Sequence, residues 1–183
     1  MTDTHRLALH LPTTADTHDL LAFELDNRAH FETWVTARAQ SYYKLDAIAA
    51  MIEQAQRERE QDQSYQFLAK LDGQIVGRVN LTGVTRPYFN KAQLGYRIGA
   101  QFGGRGYASR LVALLLEQAF GPLELWRLES IVRLPNLASA KVLQRNGFHQ
   151  YGMSEQAMYF DGAWRDLLYF ERRKHDVAQD QGK

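Results

Sequence analysis

The sequence predicts an α+β fold: a mostly antiparallel sheet of six to seven strands flanked by about four helices. Three observations predict it. The spacing of apolar residues switches between period two and helical period along the chain, so strand-like and helix-like runs are mixed. Two Asp-Gly pairs, Asp72-Gly73 and Asp161-Gly162, each separate two strand-like runs. Such pairs read as tight hairpins, which join antiparallel neighbours. No linker, repeat or low-complexity tract interrupts the 183 residues. One domain over residues 1–183 is therefore expected, large enough to bury a core.

Each element has its own warrant. "RLALHLP" alternates from Leu7 to Leu11 and predicts a first strand ended by Pro12. In "TTADTHDLLAFELDNRAHF", Thr13 or Thr14 caps a helix with Leu20, Leu21 and Leu25 on its apolar face. "ETWVTARAQSYYKL" is ambiguous. "DAIAAMIEQAQREREQ" predicts a second helix with Asp46 as cap, its polar second half lying on the surface. "SYQFLAKL" and "QIVGRVNLTGV" are strands around Asp72-Gly73, "RPYFN" is a loop, and "KAQLGYRIG" is a strand. "YASRLVALLLEQAFG" keeps Ala108, Leu111, Val112, Leu115 and Ala119 at helical spacing until Gly121-Pro122 stops it. "WRLESIVR" is a strand. "NLASAKVLQRNG" is a short helix with Asn136 as cap and Gly147 at its end. "FHQYGMSEQAMYF" and "AWRDLLYFERR" form a last hairpin around Asp161-Gly162. The polar tail, from about residue 175 to 183, is expected to fray.

Composition excludes several function classes. The formal net charge of +1 gives no electrostatic case for nucleic acid. Six histidines and no cysteine exclude disulfides and thiolate metal sites, and no metal is expected. The start "MTDTHRLALHLP" is too polar for a secretory signal, and no apolar run approaches membrane-spanning length. A cytoplasmic protein without a membrane partner is the expectation, as monomer or homodimer.

The stretch most in need of a reason is "FGGRGYASRL", residues 102–111. Glycine costs conformational entropy, yet Gly103, Gly104 and Gly106 cluster just before a helix. A plain strand-to-helix turn is one reason. An anion such as a phosphate, held on bare amides at a helix N-terminus, is the other. Arg105 can add a charge-assisted contact. No Gly-Lys-Ser/Thr closes the loop, so it is not a Walker P-loop. Ser109 stands where a dinucleotide fingerprint needs its third glycine, and the loop lies behind a hairpin rather than in an opening βαβ unit.

The order of elements and this loop resemble the GNAT superfamily of acyl-CoA-dependent N-acetyltransferases. "GGRGYA", Gly103 to Ala108, resembles that family's Q/R-x-x-G-x-G/A loop, with Gly103 in place of the usual glutamine or arginine. A register starting at Gln101 also satisfies the formula. "NLASAKVLQRNGF", Asn136 to Phe148, resembles the family's second signature. "DNRAHFETW", "LGYRIGAQFGGRGYA" and "FDGAWRDLLYF" look like the branch that acetylates ribosomal-protein N-termini, the RimJ/RimL type.

The resemblance implies a splayed central strand pair that admits the pantetheine arm of acetyl-CoA. It implies cofactor contacts from Tyr96, Arg97, Ile98 and Gly99, with the Ile98 amide facing the acetyl oxygen. It implies a pyrophosphate cradle over Gly103, Gly104, Arg105, Gly106, Tyr107, Ala108 and Ser109, and a cofactor-arm contact from Asn136. Leu143 stands where many members have a tyrosine, and Ser139, three after Asn136, matches the serine that the RimJ/RimL branch implies as thiol partner. Tyr151 stands where the branch often has a glutamate, so Glu155 is the carboxylate left to assist the amine. Each of these has a simpler alternative: Asn136 as helix cap, Ser139 as first-turn residue, Glu155 as surface charge. Asn27, Arg28 and Trp34 are the candidate acceptor contacts, within an aromatic group of Phe31, Trp34, Tyr42, Tyr43, Tyr88 and Phe89. His30 reads as a surface histidine. The implied reaction is direct acetyl transfer to an amine, either a protein N-terminus or a small molecule. A non-catalytic acyl-CoA-binding module is the alternative of a different class.

Overall fold

The computed structural model describes residues 6–176. Its elements run β1 (Leu7–His10), α1 (Thr17–Asp26), α2 (Arg28–Glu32), α3 (Leu45–Glu60), β2 (Tyr65–Leu71), β3 (Gln74–Thr85), β4 (Lys91–Ile98), α4 (Tyr107–Phe120), β5 (Arg127–Arg133), α5 (Leu137–Arg145), β6 (His149–Phe160) and β7 (Ala163–Arg173). The strands form one seven-stranded sheet in the order β1-β2-β3-β4-β5-β7-β6. Every neighbouring pair is antiparallel except β4 and β5, which are parallel. The predicted fold class therefore holds.

Both Asp-Gly pairs turn their hairpins with φ positive at both residues: 50° and 88° at Asp72-Gly73, 49° and 73° at Asp161-Gly162. That backbone matches the twist of the flanking strands. The predicted tail lies mostly outside the described residues.

Apolar residues cover both faces of the sheet. One core joins β1–β5 and β7 to α4 and α5, with Leu111, Val112, Leu115, Ala119, Leu128, Leu143 and Phe170 buried in it. Of the predicted stripe on α4, Leu111, Val112, Leu115 and Ala119 are buried, Ala108 in the first turn is only partly so, and Leu116 and Phe120 widen the buried face. The second core lies on the other face, where Leu20, Phe23, Phe31, Ile48 and Ile52 pack on Leu68 and Ile75.

Three local expectations need correction. The first predicted helix is two, α1 and α2. Asn27 breaks it: its backbone leaves the helical region at φ −107° and ψ 7°, and its side-chain amide bonds the Phe23 carbonyl that a continuous helix leaves to the main chain. Leu25 is 46% exposed, while Phe23 is buried; the stripe of α1 is Leu20, Phe23 and Glu24, and Leu25 sits one position, about 100°, away from it. Asp46 lies inside the first turn of α3, and Lys44 occupies the cap position. A carboxylate there still faces the positive end of the helix dipole.

Candidate active site

The parallel pair β4 and β5 stays together for three residue pairs, Lys91 to Gln93 against Arg127 to Glu129. Beyond them the strands part. Each keeps its other neighbour: β4 follows β3 as far as Ile98, paired with Gly77, and β5 follows β7 as far as Arg133, paired with Leu167. The fork is thus held open by two intact ladders. A bond from Ser130 Oγ to the Leu94 carbonyl, 3.1 Å, ties its apex.

Strand alternation says which β4 amides face the fork. Gly99 N–H turns to β3, where it donates to the Val76 carbonyl at 2.9 Å. Arg97 shares that side, so the amides of Ile98 and Tyr96 point into the gap. Among the described residues no strand pairs with them there, and a backbone donor left off the ladder is open to another partner. The same alternation divides the side chains. Tyr96 and Ile98 pack toward the α4 core. Arg97 points to the opposite face, where it donates to Glu24 at 2.7 Å and lies 4.9 Å over the Phe31 ring.

The glycine loop opens directly from the fork. Gly104 and Gly106 have φ of 72° and 79°, and a Cβ at either would meet no atom within 4 Å. Left-handed backbone with empty space around it requires glycine for conformation, not for packing. Gly103 is extended, and a Cβ there would meet the Ala100 carbonyl at 3.2 Å. Gly106 is the N-cap of α4 and supplies no side-chain cap. The first amides of α4, at Tyr107, Ala108 and Ser109, carry the orphan donors and partial positive charge of a helix start. Arg105 is exposed beside them. The Tyr107 ring packs edge-on to Phe102. Ser109 Oγ is taken by the Asn146 side chain at 3.0 Å, which joins α4 to α5.

On the other prong, Asn136 caps α5, its Oδ1 accepting from Ser139 N–H at 3.1 Å. The Ser139 hydroxyl lies 3.0 Å from the Tyr96 hydroxyl. Burial raises the Tyr96 phenol above its usual range. The phenol is therefore protonated at neutral pH. Leu143 is fully buried in the core. Sequence reading assigned Tyr96 only through its backbone; an aromatic facing the core side of a splayed strand was the available signal.

The candidate acceptor residues divide. Asn27 is 7% exposed and turned inward. Its Oδ1 accepts from Ala100 N–H at 2.8 Å and its Nδ2 donates to the Phe23 carbonyl at 2.9 Å. It pins the loop after Gly99 to α1 instead of facing an acceptor. Arg28 bonds Glu32 and Gln40 and stacks on Tyr43. Trp34 is 38% exposed, with the Arg133 guanidinium 5.8 Å from its ring. Arg133, absent from the sequence candidates, also donates to the Thr33 carbonyl and stacks 3.5 Å from the Phe160 ring. It joins the rim after α2 to the tip of β6, and an arginine closing a strand just before a helix cap was its only signal. Tyr88 and Phe89 lie away from the fork. They precede β4, about 25 Å along that strand from its far end. Glu155 is exposed, in the irregular stretch of β6 between Ser154 and Met158. His30 is exposed, as expected.

Comparison with known proteins agrees with this architecture. A family model described as an acetyltransferase (GNAT) domain matches residues 6–149. The chain is 31% identical over 153 residues to the probable N-acetyltransferase YjcK of Bacillus subtilis (strain 168), covering 82% of this chain and 84% of that one. It is 24% identical over 165 residues to the ribosomal protein uS5-alanine N-acetyltransferase of Escherichia coli (strain K12), covering 89% and 85%. The solved structure of Mycobacterium smegmatis RimJ in complex with CoA-disulfide superposes with a TM-score of 0.85 at 24% identity, covering 96% of this chain and 89% of that one. A forked parallel pair, an uncapped glycine-led helix and a family match across most of the chain lead to one conclusion: this chain belongs to the GNAT family of N-acetyltransferases.

Proposed function

We propose that the protein transfers the acetyl group of acetyl-CoA directly to the α-amine of a protein N-terminus, of the ribosomal-protein type. The observation that carries this reading is the fork. It exposes the Tyr96 and Ile98 amides and leads straight into the open loop Gly103–Gly106 and the uncapped start of α4. Those residues fit the ligand: peptide-like amides of a pantetheine arm pair with a free strand edge, and a pyrophosphate suits bare amides at a helix start. Gly104, Gly106, Tyr107, Ala108 and Ser109 supply backbone donors, with Arg105 as the nearby cation. Acetyl-CoA supplies the activated thioester carbonyl.

The residues of the chain then have separate tasks. The Ile98 N–H donates to the carbonyl oxygen as negative charge develops on it. The Asn136 side chain holds the arm. The Ser139 hydroxyl donates to the leaving sulfur. An N-terminal α-amine has a pKa of about 7.7–8.0, so roughly a tenth or more of it is already neutral near pH 7, whereas almost none of a lysine amine near 10.4 is. An acceptor of the first kind needs only orientation and water to take its proton. This matters because Tyr151 stands where a glutamate is expected and Glu155 is exposed.

The test mixes protein, acetyl-CoA and peptides bearing ribosomal-protein N-termini, and follows free thiol. Thiol release that depends on the peptide, with acetate found on its α-amine, is expected. Release with a polyamine or free amino acid and none with peptides would replace the acceptor while keeping the chemistry. Tight CoA binding with no turnover on any amine would make this a binding module.

A further inference from the structure

Tyr96 meets the fork twice. Its backbone amide faces the gap, and its side chain crosses from β4 to α5 on the other prong. The hydroxyl lies 3.0 Å from Ser139 Oγ and 3.5 Å from the Ser139 carbonyl oxygen. The ring is packed against the core between the sheet and α4–α5, so the hydroxyl is presented from a fixed base.

A serine hydroxyl has one proton and two lone pairs, and it rotates to suit its neighbours. Asn136 fixes the Ser139 backbone N–H but not its hydroxyl. The phenol is the group that can. We infer that Tyr96 is a positioning residue for Ser139: its O–H donates to Ser139 Oγ, which turns the serine's own proton into the fork, toward the leaving sulfur. Donation into Oγ also polarises the serine O–H, since hydrogen bonds in a chain strengthen one another. Burial keeps the phenol protonated, and so able to donate, across the neutral range.

The inference rests on the role proposed above for Ser139. In that step the amine lone pair forms the C–N bond while the C–S bond breaks. The electron pair of that bond goes to sulfur, where the Ser139 O–H stabilises it. The amine loses one proton to water and the sulfur gains one from water. Tyr96 and Ser139 keep their own protons throughout.

The experiment compares Tyr96→Phe, Ser139→Ala and the double variant. Tyr96→Phe keeps the ring and the backbone amide. Three quantities are read: kcat at saturating acetyl-CoA, KM for acetyl-CoA, and the titration of the thiol of bound CoA by thiolate absorbance. The last needs no acceptor. Loss of one hydrogen bond to the sulfur predicts that each single variant loses about tenfold in kcat. KM for acetyl-CoA stays unchanged, and the bound thiol titrates at higher pH in both. The double variant is no slower than Ser139→Ala, because Tyr96 acts only through that serine. Wild-type kcat and titration in Tyr96→Phe, beside a slow Ser139→Ala, would overturn the inference and leave the serine's role intact. A double variant slower by the product of the two losses would overturn it as well. Wild-type behaviour of Ser139→Ala would remove the serine's role and the inference with it.

Discussion

Asn136 carries two assignments that a single substitution can separate. Its Oδ1 caps α5, and its Nδ2 is the group proposed to hold the cofactor arm. Asn136→Asp keeps a good cap and removes the amide donor. Unchanged thermal stability with KM for acetyl-CoA raised about five- to tenfold is expected, the loss of about one hydrogen bond. Asn136→Ala should add a stability loss of about 1 kcal/mol. An Asn136→Asp variant with wild-type KM would return this residue to a purely structural cap. At this scale the sequence was legible where a motif fixes the backbone, as at Asn136 with Ser139 three residues on. It was not legible at Asn27. An asparagine at a polar helix end looks free to bind a substrate, but its partner, the Ala100 amide, is 73 residues away in the chain.

The glycine loop makes its prediction at the scale of an element. Gly106 and Gly73 share left-handed backbone with open space around the missing Cβ. Alanine at either costs about 1–2 kcal/mol of conformational strain. Only Gly106 opens the helix start that the pyrophosphate is proposed to occupy. Gly106→Ala and Gly73→Ala should therefore lower the melting temperature alike, while only Gly106→Ala raises KM for acetyl-CoA. Equal KM values in the two variants would mean that the loop is a turn and nothing more. Hairpins, the α4 stripe and the cap of α5 were legible because each is decided within a dozen residues. The split between α1 and α2 was not, since the side chain that breaks the helix is held by a distant loop.

Across the whole molecule, buried charge ties the layers together. Glu24 is 1% exposed and takes Arg78 and Arg97 on the same oxygen, each at 2.7 Å, which joins α1 to β3 and β4. Glu24→Gln leaves two mostly buried guanidinium groups, 12% and 17% exposed, without this counter-charge. It should cost on the order of 3 kcal/mol, read as a lower denaturant midpoint; a midpoint within error of wild type would contradict that. Asp16 bridges Thr13 and Lys70, joining the segment before α1 to β2. Burial alone would raise its carboxyl, but the bonds from Lys70 and Thr13 outweigh it and the pKa is lowered. A carboxyl lowered on folding stabilises above its unfolded pKa, about 3.9, and that stability is lost as pH falls through the folded value. Asp16→Asn should therefore be less stable than wild type at pH 7, by about 1–2 kcal/mol. The gap should close as melting is followed down toward pH 3, and a constant gap would exclude the linkage.

By itself, the sequence determined the alternation of strands and helices, both hairpins, the glycine loop, the second motif and so the family. Each of these is a local pattern, written in spacings that one element or one turn must satisfy. Tertiary structure alone decided the rest. It set where β4 and β5 part, because that depends on which other strand each one follows. It brought the Tyr96 phenol to Ser139, 43 residues away, and turned Asn27 inward. Contacts of that kind form only when separate elements are packed, so no spacing along the chain encodes them.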